Sequence, residues 1–277
     1  MFACGRNGDG RLGLGDTTSR ITFTAVSALP DGKVAKQVIP GSMHTIILAK
    51  DGTVFACGAN HRGQLGLGDT TNRNTFTAVP ALPDGKIVKQ VIPGSMHTMI
   101  LAKDGTVFAC GWNDDGQLGL GDTTDRNTFT AVPPLPDGKV AKQVVAGSHY
   151  TMILAENGTV FACGRNISGQ LGLGNSTDRH IFIAVPALPD GKVAKQVLAG
   201  YSHTMILAED GTVFGCGSNN NGQLGLGDTT RRNSFTAVPA LPDGKVAKQV
   251  LADGYHTMVL AEDGTVFACG PKGDPWS

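Results

Sequence analysis

CGWNDDGQLGLGD, residues 110–122, is one copy of a stretch that recurs along the chain at a constant interval. Near-copies begin at Cys4, Cys57, Cys163 and Cys216, and each copy starts 53 residues after the one before it. Repeats of this length are typical of propellers, solenoids and arrays. We therefore treat the chain as a single repeat domain with the divisions 1–53, 54–106, 107–159, 160–212 and 213–265, followed by a closing strand and tail at 266–277.

The composition of the chain limits the kinds of partner. The 277 residues include 23 Lys+Arg and 23 Asp+Glu, so the formal net charge is zero. A neutral chain has no basic field for nucleic acid or for an anionic membrane surface. The sequence also has no apolar run of about 18 residues and no export signal. We therefore expect neither nucleic acid nor membrane as a partner.

The cysteines occupy one equivalent position in successive repeats, which makes disulfides between neighbouring repeats geometrically unfavourable. We expect them to be reduced and buried, as is usual in a reducing intracellular compartment, and predict the cytoplasm with the nucleus as the alternative. No CxxC pair is present, so a metal site is not expected. A bridge between the first and last cysteine stays open. The six are Cys4, Cys57, Cys110, Cys163, Cys216 and Cys269.

One repeat contains four short apolar, β-branched stretches, and no stretch has helical periodicity. The first two stretches are separated by a turn, and Asp104-Gly105 indicates a two-residue hairpin between the second and third. Four strands in a meander form one propeller blade, so the fold class is all-β. All 11 phenylalanines keep fixed places in the repeat and are predicted to be core. The predicted strands are A (Lys86–Ile92), B (His97–Ala102), C (Val107–Gly111) and D (Asn127–Val132).

The stretch AGYSHTMILAEDGTVFGCGSNNNGQLGLGD, residues 199–228, resembles the RCC1 repeat. It contains the family's Gly-x-x-His-Thr entry, Asp-Gly hairpin, Gly-x-Asn strand end and Gly-Gln-Leu-Gly segment. The resemblance implies a β-propeller of RCC1-type four-stranded blades. It also implies guanine-nucleotide exchange on a small GTPase as a function to consider. Two features depart from the family: cysteine replaces the usual tryptophan of strand C, and there are five repeats instead of seven.

The chain ends suggest how a propeller could close. Strands A to D occur intact four times, which leaves A–B–C at residues 245–270 and a D strand at Ile21–Val26. We predict five blades, the last of which is closed by both chain ends, because an open sheet edge favours aggregation. In that arrangement Met1–Gly5 and Val266–Gly270 compete for one strand position. The alternative is that the chain is part of a longer array.

The glycine-rich loop and the repeated histidines have structural explanations. A dinucleotide-binding loop must lead into a helix, and no helix follows GQLGLGD. Calcium needs oxygen ligands at fixed offsets, which the copies do not keep. Glycines that allow positive φ explain the loop, and His44, His97, His203 and His256, which recur at the start of strand B, are predicted to be hydrogen-bonding groups. We find no catalytic constellation and expect no enzyme activity, no cofactor and no metal.

Differences between the copies concentrate in the A–B turns and the C–D loops. In a meander both connections emerge at the same end of the blade, and Trp, Tyr and Arg are the residue types that anchor protein interfaces. We predict that this end binds a partner protein; neutral drift of exposed loops is the alternative. The candidate residues are Trp112, Tyr150, Tyr201, Tyr255, Arg6, His61, Arg62, Asp114, Asp115, Arg165, Ile167, Met43, Met96, His149, Asn220 and Asn221.

The predicted function is therefore a non-enzymatic interaction scaffold whose partner protein is unidentified. The first alternative, implied by the resemblance, is an exchange factor for a small GTPase. In the founding family member a wedge inserted in one blade is required for exchange. Here the constant 53-residue interval leaves no room for such an insertion. The second alternative is a propeller that inhibits an enzyme by covering its active site.

Overall fold

A computed structural model describes residues 1–271 of the chain, which form short antiparallel strands and five one-turn 3-10 segments. The predicted tail beyond Pro271 lies outside the described residues. No helix in the described part is long and apolar enough to cross a membrane. The strands are β1 Phe2–Gly5, β2 Arg20–Ala25, β3 Ala35–Pro40, β4 His44–Ala49, β5 Val54–Gly58, β6 Arg73–Ala78, β7 Val88–Pro93, β8 His97–Ala102, β9 Val107–Gly111, β10 Arg126–Ala131, β11 Ala141–Ala146, β12 Tyr150–Ala155, β13 Val160–Gly164, β14 Arg179–Ala184, β15 Ala194–Ala199, β16 His203–Ala208, β17 Val213–Gly217, β18 Arg232–Ala237, β19 Ala247–Asp253, β20 His256–Ala261 and β21 Val266–Cys269. The 3-10 segments are Pro30–Gly32, Pro83–Gly85, Pro136–Gly138, Pro189–Gly191 and Pro242–Gly244.

Four sheets are complete four-stranded meanders of the propeller-blade type: β3 to β6, β7 to β10, β11 to β14 and β15 to β18. In each, the strands lie side by side in chain order and antiparallel, as predicted. The all-β propeller prediction is confirmed. The predicted strands B and C match β8 and β9 residue for residue, and A and D differ from β7 and β10 by one or two residues at their ends.

The predicted closure of a fifth blade by both chain ends is wrong at the level of strand pairing. β2 pairs with β1, which precedes it in the chain, and β19, β20 and β21 form a separate three-stranded sheet. The described residues therefore form six sheets instead of five. The two copies of strand C do not compete, since each pairs with its own sequence neighbour. Short connections favour pairing between consecutive strands.

The chain divides into two compact units. One comprises residues 1–114 and 122–134, and the other comprises residues 115–121 and the chain from 135 onward. Within each unit, consecutive blades pack through apolar side chains. In the first unit Ile46 and Leu48 of one blade share a core with Ile100 and Phe108 of the next. Strand B is buried along its whole length in three of the four complete blades because both of its faces are covered.

Burial of the repeated phenylalanines and cysteines is confirmed for the complete blades but fails in the outermost sheets. Phe2 and Phe23, in the two-stranded sheet, are 69% and 76% exposed, so the prediction that all 11 phenylalanines are core is wrong. All six cysteines are free thiols, of which Cys4 is exposed and Cys269 is half-buried. The other four are buried, and their thiols donate to backbone carbonyls, as from Cys216 to Gln170 O at 3.5 Å.

The two kinds of Asp-Gly turn differ from the prediction. The B–C connection is not a two-residue hairpin, because Ala102 N donates to Thr106 O across three residues and only Gly105 has positive φ. A two-residue turn of the mirror-image type needs positive φ at both central positions. That conformation occurs instead in the Pro-Asp-Gly-Lys connection, where Asp84 has φ 56° and Gly85 has φ 64°.

The glycines of the C–D loop allow close packing against the next blade, as well as the predicted positive φ. Gly66 has φ 69°, and a Cβ there would lie 2.4 Å from the ring of Phe129 in the following blade. Gly172 approaches the ring of Phe235 in the same way. Within the loop, Asn60 Oδ1 accepts from the backbone N–H of Leu65. The loop is a packing element between blades, which confirms the structural explanation of its glycines.

Candidate partner-binding end of the blades

The A–B turns and C–D loops lie at the same end of each complete blade, and backbone hydrogen bonds join them directly. Where each C–D loop begins, an N–H group donates to a carbonyl of the A–B turn. The distances are 3.0 Å from Ala59 N to Met43 O, 2.9 Å from Trp112 N to Met96 O, 2.9 Å from Arg165 N to His149 O and 2.8 Å from Ser218 N to Ser202 O. We call the A–B turns and C–D loops together the variable end.

The opposite end carries the B–C hairpins and the Pro-Asp-Gly-Lys turns. A lysine of the turn is paired with the hairpin aspartate in four repeats, for example Lys33 with Asp51 at 2.6 Å and Lys86 with Asp104 at 2.5 Å. These pairs hold the pKa of Asp51 and Asp104 at about 2, mainly through the hydrogen bond from the lysine. This constant end has nearly the same residues in every repeat.

In the first unit, the variable end brings together residues from two blades. The Arg62 guanidinium lies over the Trp112 ring, 5.5 Å from its centroid. Arg62 also forms ion pairs with Asp125 at 3.1 Å and with Asp114 at 3.8 Å. Trp112 is half-buried and is fixed by its backbone hydrogen bond to Met96. The predicted residues Trp112, Arg62 and Asp114 therefore belong to one cluster.

In the second unit, the variable end carries a row of aromatic side chains from three consecutive A–B turns. His149 lies edge-on to Tyr201 with ring centroids 6.4 Å apart, and Tyr201 lies 5.5 Å from Tyr255. His149 Nδ1 is 3.0 Å from the carboxylate of Asp115. Backbone bonds align the turns, from Ser148 N to Tyr201 O at 3.4 Å and from Tyr201 N to Gly254 O at 3.0 Å.

The remaining candidate residues are also on the variable end but join neither cluster through a side chain. Some of these side chains are exposed to a partner and others are partly covered. Exposed members are Arg6, His61, Ile167, Asn220 and Asn221, and half-buried members are Met43, Met96 and Arg165.

Tyr150 does not belong to a surface, and its assignment to the partner-binding end is corrected. Its side chain is fully buried because it occupies the position at the start of strand B that histidine takes in the other repeats. The Tyr150 hydroxyl donates to the carbonyl of His203, and its oxygen lies 3.1 Å from Thr204 Oγ1. Burial raises the pKa of this phenol.

The repeated histidines are buried in three of their four positions, and His44 and His203 are structural hydrogen-bonding groups, as predicted. His44 Nε2 lies 2.9 Å from Thr98 Oγ1 of the next blade. Because Thr98 donates its own proton to Gln64 O, the imidazole is the donor in this bond. Burial lowers the pKa of His44 to about 4, with a smaller contribution from Arg11. His203 bonds Thr257 in the same way, and His97 is likewise buried.

The last A–B turn differs, and His256 at its end is exposed. In the preceding repeat the equivalent turn begins with Gly200, whose added Cβ would lie 2.1 Å from the His203 ring. Asp253 takes that glycine position in the last turn, and β19 extends to include it. A side chain at this place would clash with the buried histidine arrangement of the preceding repeat.

Asp125 and Asp253 are two residues that the sequence analysis missed. Both fall at positions where the repeats differ, since the residues equivalent to Asp125 are Ser19, Asn72, Asp178 and Arg231. That variation was the available signal. In residues 1–271 no group of three or more His, Cys, Asp or Glu side chains could hold a metal ion.

Comparisons with known proteins agree with this architecture. The repeat profile described as "Regulator of chromosome condensation (RCC1) repeat" matches residues 51–101, 104–154, 157–207 and 210–260. The chain is 33% identical over 270 residues to the ultraviolet-B receptor UVR8 of Arabidopsis thaliana, covering 98% of this chain and 60% of UVR8. It is 34% identical to the secretion-regulating guanine nucleotide exchange factor of Bos taurus, covering 78% of this chain and 48% of that protein.

A solved structure supports the same fold. Yeast RCC1 (Prp20), in a crystal structure bound to Kap60, superposes with a TM-score of 0.80 at 21% identity. The match covers 97% of this chain and 65% of that one. The chain thus spans less than two thirds of the length of each of these relatives. With matched repeats over most of its residues and blades of this type in its structure, the chain belongs to the RCC1 repeat family.

Proposed function

We propose that the protein is a non-enzymatic interaction module that binds a partner protein through the variable end of its blades. The observation that supports this most strongly is the pair of side-chain clusters there. Arg62 and Asp125 come from different repeats and satisfy each other's charge over Trp112. Tyr201 and Tyr255 also come from different repeats and contact each other while remaining 45% and 44% exposed. Half-exposed aromatic and arginine side chains are typical anchors of protein interfaces.

Protein binding is also consistent with two of the relatives. Yeast RCC1 was crystallised with Kap60, and the Bos taurus relative is named as a guanine nucleotide exchange factor. Because the chain spans only part of each relative, their activities are not transferred to it. The buried free thiols favour a reducing intracellular compartment, and we propose the cytoplasm or nucleus as its location.

A test compares the two ends of the blades. The partner is captured by cross-linking, identified by mass spectrometry, purified, and titrated against variants by calorimetry. We expect Trp112→Ala and Tyr201→Ala each to weaken binding by about tenfold or more, as is usual for interface anchors. Ile87→Ala and Val193→Ala at the constant end are matched controls, because both side chains are at least half exposed. Equal affinity of all four variants would refute the assignment of the variable end.

Exchange activity on a small GTPase is the second candidate, and the exchange-factor relative is the observation that favours it. The constant spacing of the repeats gives no inserted wedge, so we rank it below simple binding. Release of a fluorescent guanine nucleotide from purified small GTPases, with and without the protein, distinguishes the two. Acceleration of release by the protein, lost in Trp112→Ala, would establish exchange. An unchanged rate of nucleotide release would exclude exchange on the GTPases tested and leave partner binding as the proposed function.

A further inference from the structure

The contact between Tyr201 and Tyr255 is not part of the repeated structure of the blades. At the position of Tyr201 the first three turns have Ser42, Ser95 and Ser148, and these turns carry the same backbone hydrogen bond between the preceding glycine and the first residue of strand B. The two phenol rings are tilted by 31° and are both nearly half exposed. Their apolar area is therefore available to a ligand, and the fold gains little from it.

At the variable end of the first unit, an aromatic side chain and neighbouring carboxylates bind an arginine side chain. There the guanidinium of Arg62 lies over Trp112 and is paired with Asp125. The ring's negative face and the carboxylate both attract the cation. The single guanidinium thus lies against one aromatic ring and two carboxylates, those of Asp125 and Asp114.

Among its described residues, the second unit has the aromatic side chains and the carboxylate but no arginine or lysine over the rings. Asp253 ends β19 two residues before Tyr255 and is exposed. The next residue, Gly254, accepts from Tyr201 N at 3.0 Å, which places Asp253 beside the Tyr201 turn. Burial lowers the pKa of His203, and the His256 backbone and then the Asp253 charge oppose that effect. In residues 1–271 no arginine or lysine side chain lies over either phenol ring, and Asp253 forms no ion pair there.

We propose that Tyr201, Tyr255 and Asp253 form a binding site for an arginine side chain of the partner protein. This inference rests on the proposed function, since it specifies the chemistry of a partner bound at the variable end. A planar guanidinium can stack on a phenol ring while donating two hydrogen bonds to one carboxylate. The lysine ammonium is a point charge that can neither stack as a planar group nor donate two parallel hydrogen bonds to one carboxylate, so arginine fits the site better.

The chain offers a direct spectroscopic test because it has only three tyrosines, of which Tyr150 is buried. Protein with ¹³C-labelled tyrosine rings is titrated by NMR with acetyl-Gly-Arg-Gly-amide. The same titration with citrulline in place of arginine is the control, since citrulline has the shape without the charge. We expect the Tyr201 and Tyr255 signals to move with the arginine peptide, to move much less with citrulline, and the Tyr150 signal to stay fixed.

Variants locate the site. Asp253→Asn and Tyr255→Ala are each expected to weaken association with the arginine peptide by about threefold to tenfold, the range of one cation–π or charged contact. The unchanged Tyr150 signal shows that each variant is folded. Equal shifts with arginine and citrulline, a lysine peptide that binds as well as arginine, or no shift at millimolar peptide would overturn the inference.

The outcome is separable from that of the proposed function. If the arginine peptide fails to bind but Trp112→Ala and Tyr201→Ala still lose the purified partner, the variable end is the interface and the arginine site is wrong. If the peptide binds but those variants keep the partner, the arginine site exists and the proposed interface is wrong.

Discussion

Replacing the buried histidine His44 by tyrosine tests whether this position controls acid stability. The third repeat provides the design, because Tyr150 already occupies the equivalent place and bonds into the next blade. Burial lowers the folded-state pKa of His44 to about 4, whereas an unfolded chain has its ordinary value of 6.5. Between these values the unfolded state binds the proton and the folded state does not. His44 therefore contributes stability above pH 6.5 that is lost as the pH falls toward 4.

The size of the effect follows from the two pKa values. At about pH 5 the loss from this one histidine is about 2 kcal/mol, and it approaches about 3 kcal/mol below both pKa values. The free energy of unfolding is measured by urea denaturation with circular dichroism at about pH 7.5 and about pH 5. We expect His44→Tyr to lose about 2 kcal/mol less than the parent between these conditions. The exposed His61→Tyr is the control for removing one histidine. If His44→Tyr and the parent lose equal stability on acidification, the proposed burial penalty is refuted.

Two further predictions concern the packing of the repeat frame. Gly66→Ala is expected to destabilise the fold by about 2 to 4 kcal/mol, because Gly66 has positive φ and the added Cβ would clash with the Phe129 ring. Gly85→Ala should cost only about 1 kcal/mol, because Gly85 also has positive φ but its added Cβ would meet open space. Thermal unfolding compares the pair, and equal losses would contradict the packing role of the loop. With a thiol reagent under native conditions, exposed Cys4 should react fast, while Cys57, whose pKa burial raises to about 12, should react only on unfolding. Cys4→Ser should remove the fast phase, and a fast phase that persists would show that another thiol is accessible.

How much of the fold the sequence predicts depends on whether a feature is local to one repeat. The bounds of β8 and β9 follow from short apolar runs between turn residues, so they were predictable to the residue. The pairing partners of β1 and of β21 were not predictable. Both strands have nearly the same short sequence, so the sequence alone does not say which strand each one pairs with. Strand adjacency along the chain decides it. The exposure of Phe2 and Phe23 was missed for a related reason, since burial depends on a neighbouring sheet and not on the residue itself.

The candidate site shows the same division between local and non-local information. That the variable end gathers turns and loops follows from the meander alone. Tyr150 was misplaced because its residue type suggested a surface, although its position aligned with buried histidines. The pairing of Arg62 with Asp125 joins residues of different repeats and needed coordinates. So did the contact between Tyr201 and Tyr255, whose positions within their turns are not equivalent.

The frame explains why one end of the blades is free to vary. The bonds that join each A–B turn to its C–D loop run between backbone atoms, as from Trp112 N to Met96 O, so they form whatever side chain is present. At the constant end the corresponding link is a side-chain ion pair, such as Lys86 with Asp104, and a substitution there would break it. Neutral drift alone accounts for differences between the repeats at the variable end. The ion pair of Arg62 with Asp125 beside Trp112 joins residues of separate repeats, and the Asp125 carboxylate also accepts from Asn113 N in its own loop. A pairing of this kind between repeats supports the proposed binding role of the variable end over drift.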